Sequence, residues 1–121
     1  MLIKVEAIVR EEKFEDVKEA LRTIEVNGIT VSQVMGCGVQ RGYKTVVRGS
    51  EIDLTLQPKI KFEIVVSSKE WEDKVIQAIQ TAAYTGEIGD GKIFSYEIRS
   101  ALKIRTKETG YDALQSQSND Q

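Results

Sequence analysis

Apolar and polar positions alternate at the start of the chain: Ile3, Val5, Ala7 and Val9 against Lys4, Glu6 and Ile8. A period of two puts the sets on opposite faces of a strand, so this stretch is predicted as a strand with one buried face. Phe14, Val17, Leu21 and Ile24 then recur at helical spacing behind the acidic cluster Glu11, Glu12, Glu15 and Asp16, which suits the positive end of a helix. Asn27-Gly28 stops that pattern, and 29–35 reads as a second strand. Ile60, Phe62, Ile64 and Val66 mark a third, with Lys61 and Glu63 on its other face. Ser67-Ser68-Lys69-Glu70 has the S-x-x-E spacing of a capping box, followed by Trp71, Val75, Ile79 and Ala82 on one helical face. Gly86 ends this helix, and 92–98 reads as a fourth strand.

The order β-α-β, β-α-β predicts an α+β, ferredoxin-like domain: a four-stranded antiparallel sheet with both helices on one face. Residues 1–112 form this domain, Ile104-Arg105 add a short strand, and 113–121, ending in "QSQSNDQ", form a flexible tail. The uncovered sheet face carries Leu2, Lys4, Glu6, Ile8, Lys61, Glu63 and Val65. Apolar and oppositely charged groups together suit either burial against other subunits, where the charges pair, or a solvated surface.

Between the second and third strands, 37–57 is anomalous. Hairpin loops usually take about 2–5 residues, and structureless ones beyond about 15 are uncommon unless functional. "CGVQRGYKTVVRGSEIDLTLQ" offers Gly38, Gly42 and Gly49 as joints and Arg41, Lys44 and Arg48 as charges. It reads as a projecting arm or as a ribbon turning at Arg48-Gly49-Ser50-Glu51, in either case a place for partner recognition.

Bulk composition narrows the chemistry. A chain of 121 residues with 30% charged and 40% hydrophobic content is one globular domain, and its net charge of −2 pulls it toward neither nucleic acid nor lipid. Histidine is absent, which excludes a Ser-His-Asp triad and makes zinc and general-base catalysis poor fits. The single cysteine, Cys37, permits no intrachain disulfide, and nothing resembles a signal peptide or a membrane span, so a reducing cytoplasm is the expected setting.

The remaining candidate chemistry is a phosphate cradle. "TGEIGDGKIF" places Gly86, Gly89 and Gly91 before Lys92 in a turn between helix and strand. Its spacing is not that of a Walker A loop, since Ile93 stands where Ser or Thr would bind magnesium. Lys103 and Arg105 on an extended segment, a second glycine-rich turn in "MGCGVQRG", and Lys59 add cations and a second backbone nest, a combination suited to a small polyanion.

"GCGVQRG", "VVRGSE", "PKIKFEIVV", "TGEIGDGKIF" and "KIRTKETGYDAL" resemble, in order and spacing, the signature segments of the PII nitrogen-signalling proteins, over almost the whole chain. The resemblance implies a cytoplasmic, non-enzymatic homotrimer with nucleotide sites between neighbouring subunits and a "T-loop" at 37–57. ATP and ADP would compete for the site, Mg2+ and 2-oxoglutarate would join ATP, and the T-loop would engage targets accordingly. By resemblance, the nucleotide site comprises Ile8, Thr30, Gly36, Gly38, Val39, Gln40, Glu63, Val65, Gly89, Asp90, Gly91 and Lys92, with Lys103 and Arg105 from the adjacent subunit. Gln40 would reach Mg2+ and 2-oxoglutarate, and Lys59 would pair with a 2-oxoglutarate carboxylate. A 2-oxo acid chelating a metal already fixed by phosphates explains why the second ligand requires the first.

Partner binding is expected at Arg48, Gly49, Ser50 and Glu51, with a membrane ammonium transporter as the expected target. Such a partner would recruit the protein to the membrane without insertion. A glutamine-metabolism enzyme and a transcription regulator are alternatives. A nucleotide-dependent hydrolase on the same cradle, and a related trimer sensing another small molecule, are the rival functions. Four positions depart from the family pattern. Val39 and Lys103 stand where relatives carry arginines, leaving the choice between ATP and ADP open, and Glu87 stands where lysine is frequent. Ile52 replaces the tyrosine of uridylylated relatives, leaving Tyr43 a poor substitute and Ser50 a weak candidate for phosphorylation.

Overall fold

The computed structural model describes residues 1–26, 28–39, 45–47, 50–52 and 54–114. The elements run β1 (Ile3–Arg10), α1 (Phe14–Thr23), β2 (Ile29–Val39), β3 (Thr45–Val47), β4 (Ser50–Ile52), β5 (Leu54–Val66), α2 (Lys69–Ala83), β6 (Lys92–Glu97) and α3 (Tyr111–Leu114). The main sheet is antiparallel in the order β2-β5-β1-β6, the ferredoxin-like arrangement read from the sequence.

Alternation in β1 appears directly in burial: Ile3, Val5, Ala7 and Val9 lie in the core, and the residues between them are half-buried. Ile60, Phe62, Ile64 and Val66 of β5 share that face, and Val17, Leu21, Val75 and Ile79 of the two helices close over it. Phe62 is fully buried and stacks on Phe14, with ring centroids 5.8 Å apart.

Helix ends differ in detail from the expectation. The stop of α1 precedes Asn27-Gly28: Glu25 takes a left-handed φ of 66°, its N–H donates to Arg22 O, and the N–H of Val26 donates to Leu21 O. This is a Schellman closure with a non-glycine residue at the left-handed position. At α2 the cap is Ser68, whose Oγ accepts from the N–H of Trp71 at 3.1 Å. The spacing Ser67–Glu70 therefore forms no box; the helix starts one residue later, and Trp71 stands at the third position. α2 ends at Ala83 with Tyr84 extended, before Gly86.

The connection expected at 37–57 is largely ladder. β2 continues to Val39 and β5 begins at Leu54, so the pairs from Met35↔Pro58 to Val39↔Leu54 form a two-stranded ribbon beyond Arg10↔Lys59, the last pair between β1 and β5. The only proline, Pro58, lies one residue past that pair, where β5 is bordered by β2 alone and has one free edge. Further out, β3 pairs with β4 through Val47↔Ser50, in agreement with the ribbon reading. Gln40, Arg41, Gly42, Tyr43, Lys44, Arg48, Gly49 and the tail from 115 lie outside the described residues.

The second face of the sheet is a ring of charges satisfied within one chain. Lys4 Nζ lies 3.0 Å from Glu63, Lys61 lies 3.8 Å from Glu63 and 4.0 Å from Glu6, and the Tyr96 hydroxyl donates to Glu6 at 2.7 Å. Hydrogen bonding from Lys4 holds the Glu63 carboxyl below its usual range. Pairing between subunits is thus not needed to satisfy these charges, and the half-burial reflects long side chains lying across one another.

Candidate functional site: a glycine turn and its surroundings

The turn between α2 and β6 is organised by one carboxylate. Asp90 accepts from the backbone N–H groups of Thr85 and Gly86, each at 2.9 Å, and from the Thr85 hydroxyl. Arg10 Nε donates to the same carboxylate at 3.1 Å. These hydrogen bonds, the Thr85 hydroxyl foremost, hold the Asp90 carboxyl far below its ordinary value. Asp90 was expected to be part of the cradle; its carboxylate closes the turn.

Two glycines are required by this geometry. Gly91 has φ 104°, and a Cβ there would lie 1.8 Å from the carbonyl oxygen of Ile8, so no side chain fits between the turn and β1. Gly89 has φ 105°, and a Cβ there would lie 3.3 Å from Arg10 Nη2. The carbonyl of Ile88 accepts from Arg10 Nη2 at 2.8 Å, and that of Gly89 accepts from Lys59 Nζ. Lys92 follows as the first residue of β6, exposed and opposite Ile8.

The other expected residues divide into separate places on the chain. Ile8, Asp90, Gly91 and Lys92 line a cleft of about 310 Å³ beside α2. Thr30, Glu63, Val65 and Lys103 line a different one of about 810 Å³, together with Lys4, Trp71 and Tyr111. Ile8 is therefore not gathered with Thr30, Glu63 and Val65 in one chain. Gly36 and Gly38 correct a further expectation. They are ladder residues opposite Gln57 and Thr55, not a second glycine turn, and Val39 pairs with Leu54. At Gly36 a Cβ would approach Lys59 Cγ to 3.3 Å, so this glycine leaves room for the lysine stem.

Lys103 and Arg105 also sit differently from the expectation. Residues 104–106 form a turn, closed by the bridge Leu102↔Thr109 and the bond from Lys103 N–H to Glu108 O at 2.8 Å. The strand expected at Ile104-Arg105 is this turn, because Thr106 caps it: its hydroxyl accepts from the Glu108 N–H at 3.3 Å. Strand alternation therefore does not set the direction of the two cations; Lys103 Nζ lies 3.8 Å from Glu108.

Among the described residues no group of three or more His, Cys, Asp or Glu could hold a metal ion, and Gln40 lies outside them. Sequence reasoning missed Arg10. Its place as the last residue of β1, on the charged face and next to the acidic run, was the available signal.

A small α+β domain with a glycine turn tied to a central strand, and a paired ribbon rising from the adjacent strands, has the features of a ligand-responsive regulator. The chain belongs to the family described as nitrogen regulatory protein P-II, which it matches over residues 2–108. It is 48% identical over 111 residues to the nitrogen regulatory protein P-II of Rhodospirillum rubrum, covering 92% of this chain and 98% of that one. Among solved structures, a GlnK–ATP complex of B. subtilis aligns with a TM-score of 0.78 at 41% identity, covering 93% of this chain and 96% of that one. A PII of Arabidopsis thaliana bound to citrate aligns with a TM-score of 0.72 at 39% identity, covering 93% of this chain and 91% of that one.

Proposed function

We propose that this chain is a trimeric, non-enzymatic sensor of ATP, ADP and 2-oxoglutarate that regulates nitrogen assimilation through the ribbon between β2 and β5. The observation that carries the reading is the turn from Thr85 to Lys92. Three left-handed glycines at 86, 89 and 91 precede an exposed lysine, and the turn's own carboxylate is already committed to closing it. A glycine turn of this kind, beside a cation, suits phosphate oxygens. The ATP complex of a 41% identical structural relative supports the same ligand class.

The division of residues between two clefts supports a site shared by neighbouring subunits. One chain supplies Ile8, Gly36, Gly38, Val39, Gln40, Gly89, Asp90, Gly91 and Lys92; the next supplies Thr30, Glu63, Val65, Lys103 and Arg105. Exposed apolar residues on the outer strands and near this second group, among them Val31, Met35, Phe94 and Ile104, are suited to burial between copies.

Bound Mg2+ would draw on ATP phosphates and Gln40, and it would supply the centre that a 2-oxo acid chelates. Lys59 would release the Gly89 carbonyl to pair with the second carboxylate of that acid. Its position at the root of the ribbon, between Arg10 and Val34 on the neighbouring strands, links that exchange to the arm. The arm, through Arg48, Gly49, Ser50 and Glu51, would meet the target. We take that target to be a membrane ammonium transporter, with Arg48 as a long, permanently charged plug. The protein would work in the cytoplasm and reach the membrane through that partner; no described helix is long and apolar enough to cross one.

Calorimetry tests the reading. The protein should bind ATP, should bind 2-oxoglutarate only with MgATP present, and should lose the second event in Lys59→Ala. Absence of ATP binding, or 2-oxoglutarate binding without nucleotide, would contradict it.

A further inference from the structure

Arg10 ends β1 directly opposite Lys59 of β5. Like charges facing each other across a ladder repel unless each finds an acceptor. Both acceptors come from the glycine turn: Arg10 Nη2 binds the carbonyl of Ile88 at 2.8 Å, and Lys59 Nζ binds the carbonyl of Gly89. No described peptide bond is cis. In a trans peptide the C=O and the following N–H point in opposite directions. Drawing the carbonyls of residues 88 and 89 toward the strand ends therefore turns the N–H groups of Gly89 and Asp90 to the far side. Two successive amides facing one way make a concavity for an anion.

The second contact of Arg10 concerns charge. Four donors converge on the two oxygens of Asp90, which favours the ionised form, so closing the turn leaves a negative charge inside it. Arg10 Nε sits 3.1 Å from that carboxylate. A planar guanidinium can hold a carbonyl and a carboxylate together; an ammonium is a single point and does this poorly.

We propose that Arg10 is the positioning residue of this turn: it orients the Ile88–Gly89 peptide so that the amides present themselves to phosphate, and it neutralises Asp90 so that the phosphate is not repelled. The proposal rests on the turn being the phosphate site, and it gives Arg10 a task that requires no contact with ligand.

ATP titrations of the full chain, alongside amide exchange of the segment 85–91, test it. R10Q should weaken ATP binding by about tenfold or more, the range expected for losing charge-assisted hydrogen bonds. In the absence of nucleotide, R10Q should also speed exchange in 85–91 while the amides of β1 and β5 stay protected. R10K, which keeps the charge and loses the fork, should restore only part of the affinity. If R10Q does not fold, R10K carries the test: it keeps the charge and loses the fork, so its ATP affinity must fall and its turn amides must exchange faster. Normal ATP affinity in R10Q, or full restoration by R10K, overturns the role of Arg10 and leaves the phosphate site standing. An R10K affinity no better than that of R10Q overturns the neutralising half. Failure of the unaltered chain to bind ATP overturns both readings.

Discussion

Two turns in this chain carry glycines at left-handed φ and cations beside them, and they are built in opposite ways. The turn before β6 is fixed from outside: β1 presses on Gly91, Arg10 and Lys59 hold its carbonyls, and Asp90 ties its start to its end. The turn at 102–110 is closed by one bridge, short-range backbone bonds and a long Lys103–Glu108 pair. A Cβ on Gly110, at φ 61°, would meet nothing within 4 Å. The shape of the first turn depends on the core sheet. The second carries Lys103 into the cleft lined by Thr30, Glu63 and Val65.

Gly91→Ala should produce the largest difference. The strained φ and the overlap with Ile8 together should cost about 3 kcal/mol or more in urea denaturation, and nucleotide binding should be lost with it. Asp90→Asn comes next. The Asp90 carboxyl is held below its ordinary value of 3.8, chiefly by the Thr85 hydroxyl, so on acidification the unfolded chain takes up the proton first. Its stabilisation is complete above that value and is lost as pH falls below it. The midpoint gap between the unaltered chain and D90N should be full at neutral pH and close in acid; an equal gap at all pH values would deny the carboxylate its role.

Gly110→Ala should cost only about 1–2 kcal/mol, the left-handed penalty without a collision, and should leave ATP affinity within about twofold. Glu108→Ala should be smallest, below about 0.5 kcal/mol in the same denaturation measurement, because the ion pair is long and partly exposed. A cost for Gly110→Ala as large as that for Gly91→Ala would erase the contrast.

The fold was legible because its signals are periodic. Alternation in β1 and β5 and the 3.6-residue spacing in both helices each require one buried face, and the burial of Val5, Phe62, Leu21 and Ile79 follows from it. Boundaries were less so. Two adjacent serines offer the same hydroxyl, and only packing places Ser68 at the cap; a left-handed Glu25 is chosen by closure of α1, which composition does not signal. The residues 37–39 were read as the start of an arm or ribbon with Gly38 as a joint, yet they continue the β2 ladder, and Gly36 before them makes room for the Lys59 stem. The glycine turn was visible as a motif. Its supports were not, because Arg10 and Asp90 are 80 residues apart and no local pattern connects them.

The central claim is that a complete phosphate site takes its glycine turn from one chain and its Lys103 and Arg105 from another. Mixing and co-refolding two variants, Lys92→Ala and Lys103→Ala/Arg105→Ala, tests it most directly, with ATP binding measured before and after. Each variant alone should bind poorly. In mixed closed rings about a quarter of the sites would combine an intact turn with intact cations, so binding should reappear at that fraction. A mixture that binds no more ATP than the two variants measured separately would contradict the account.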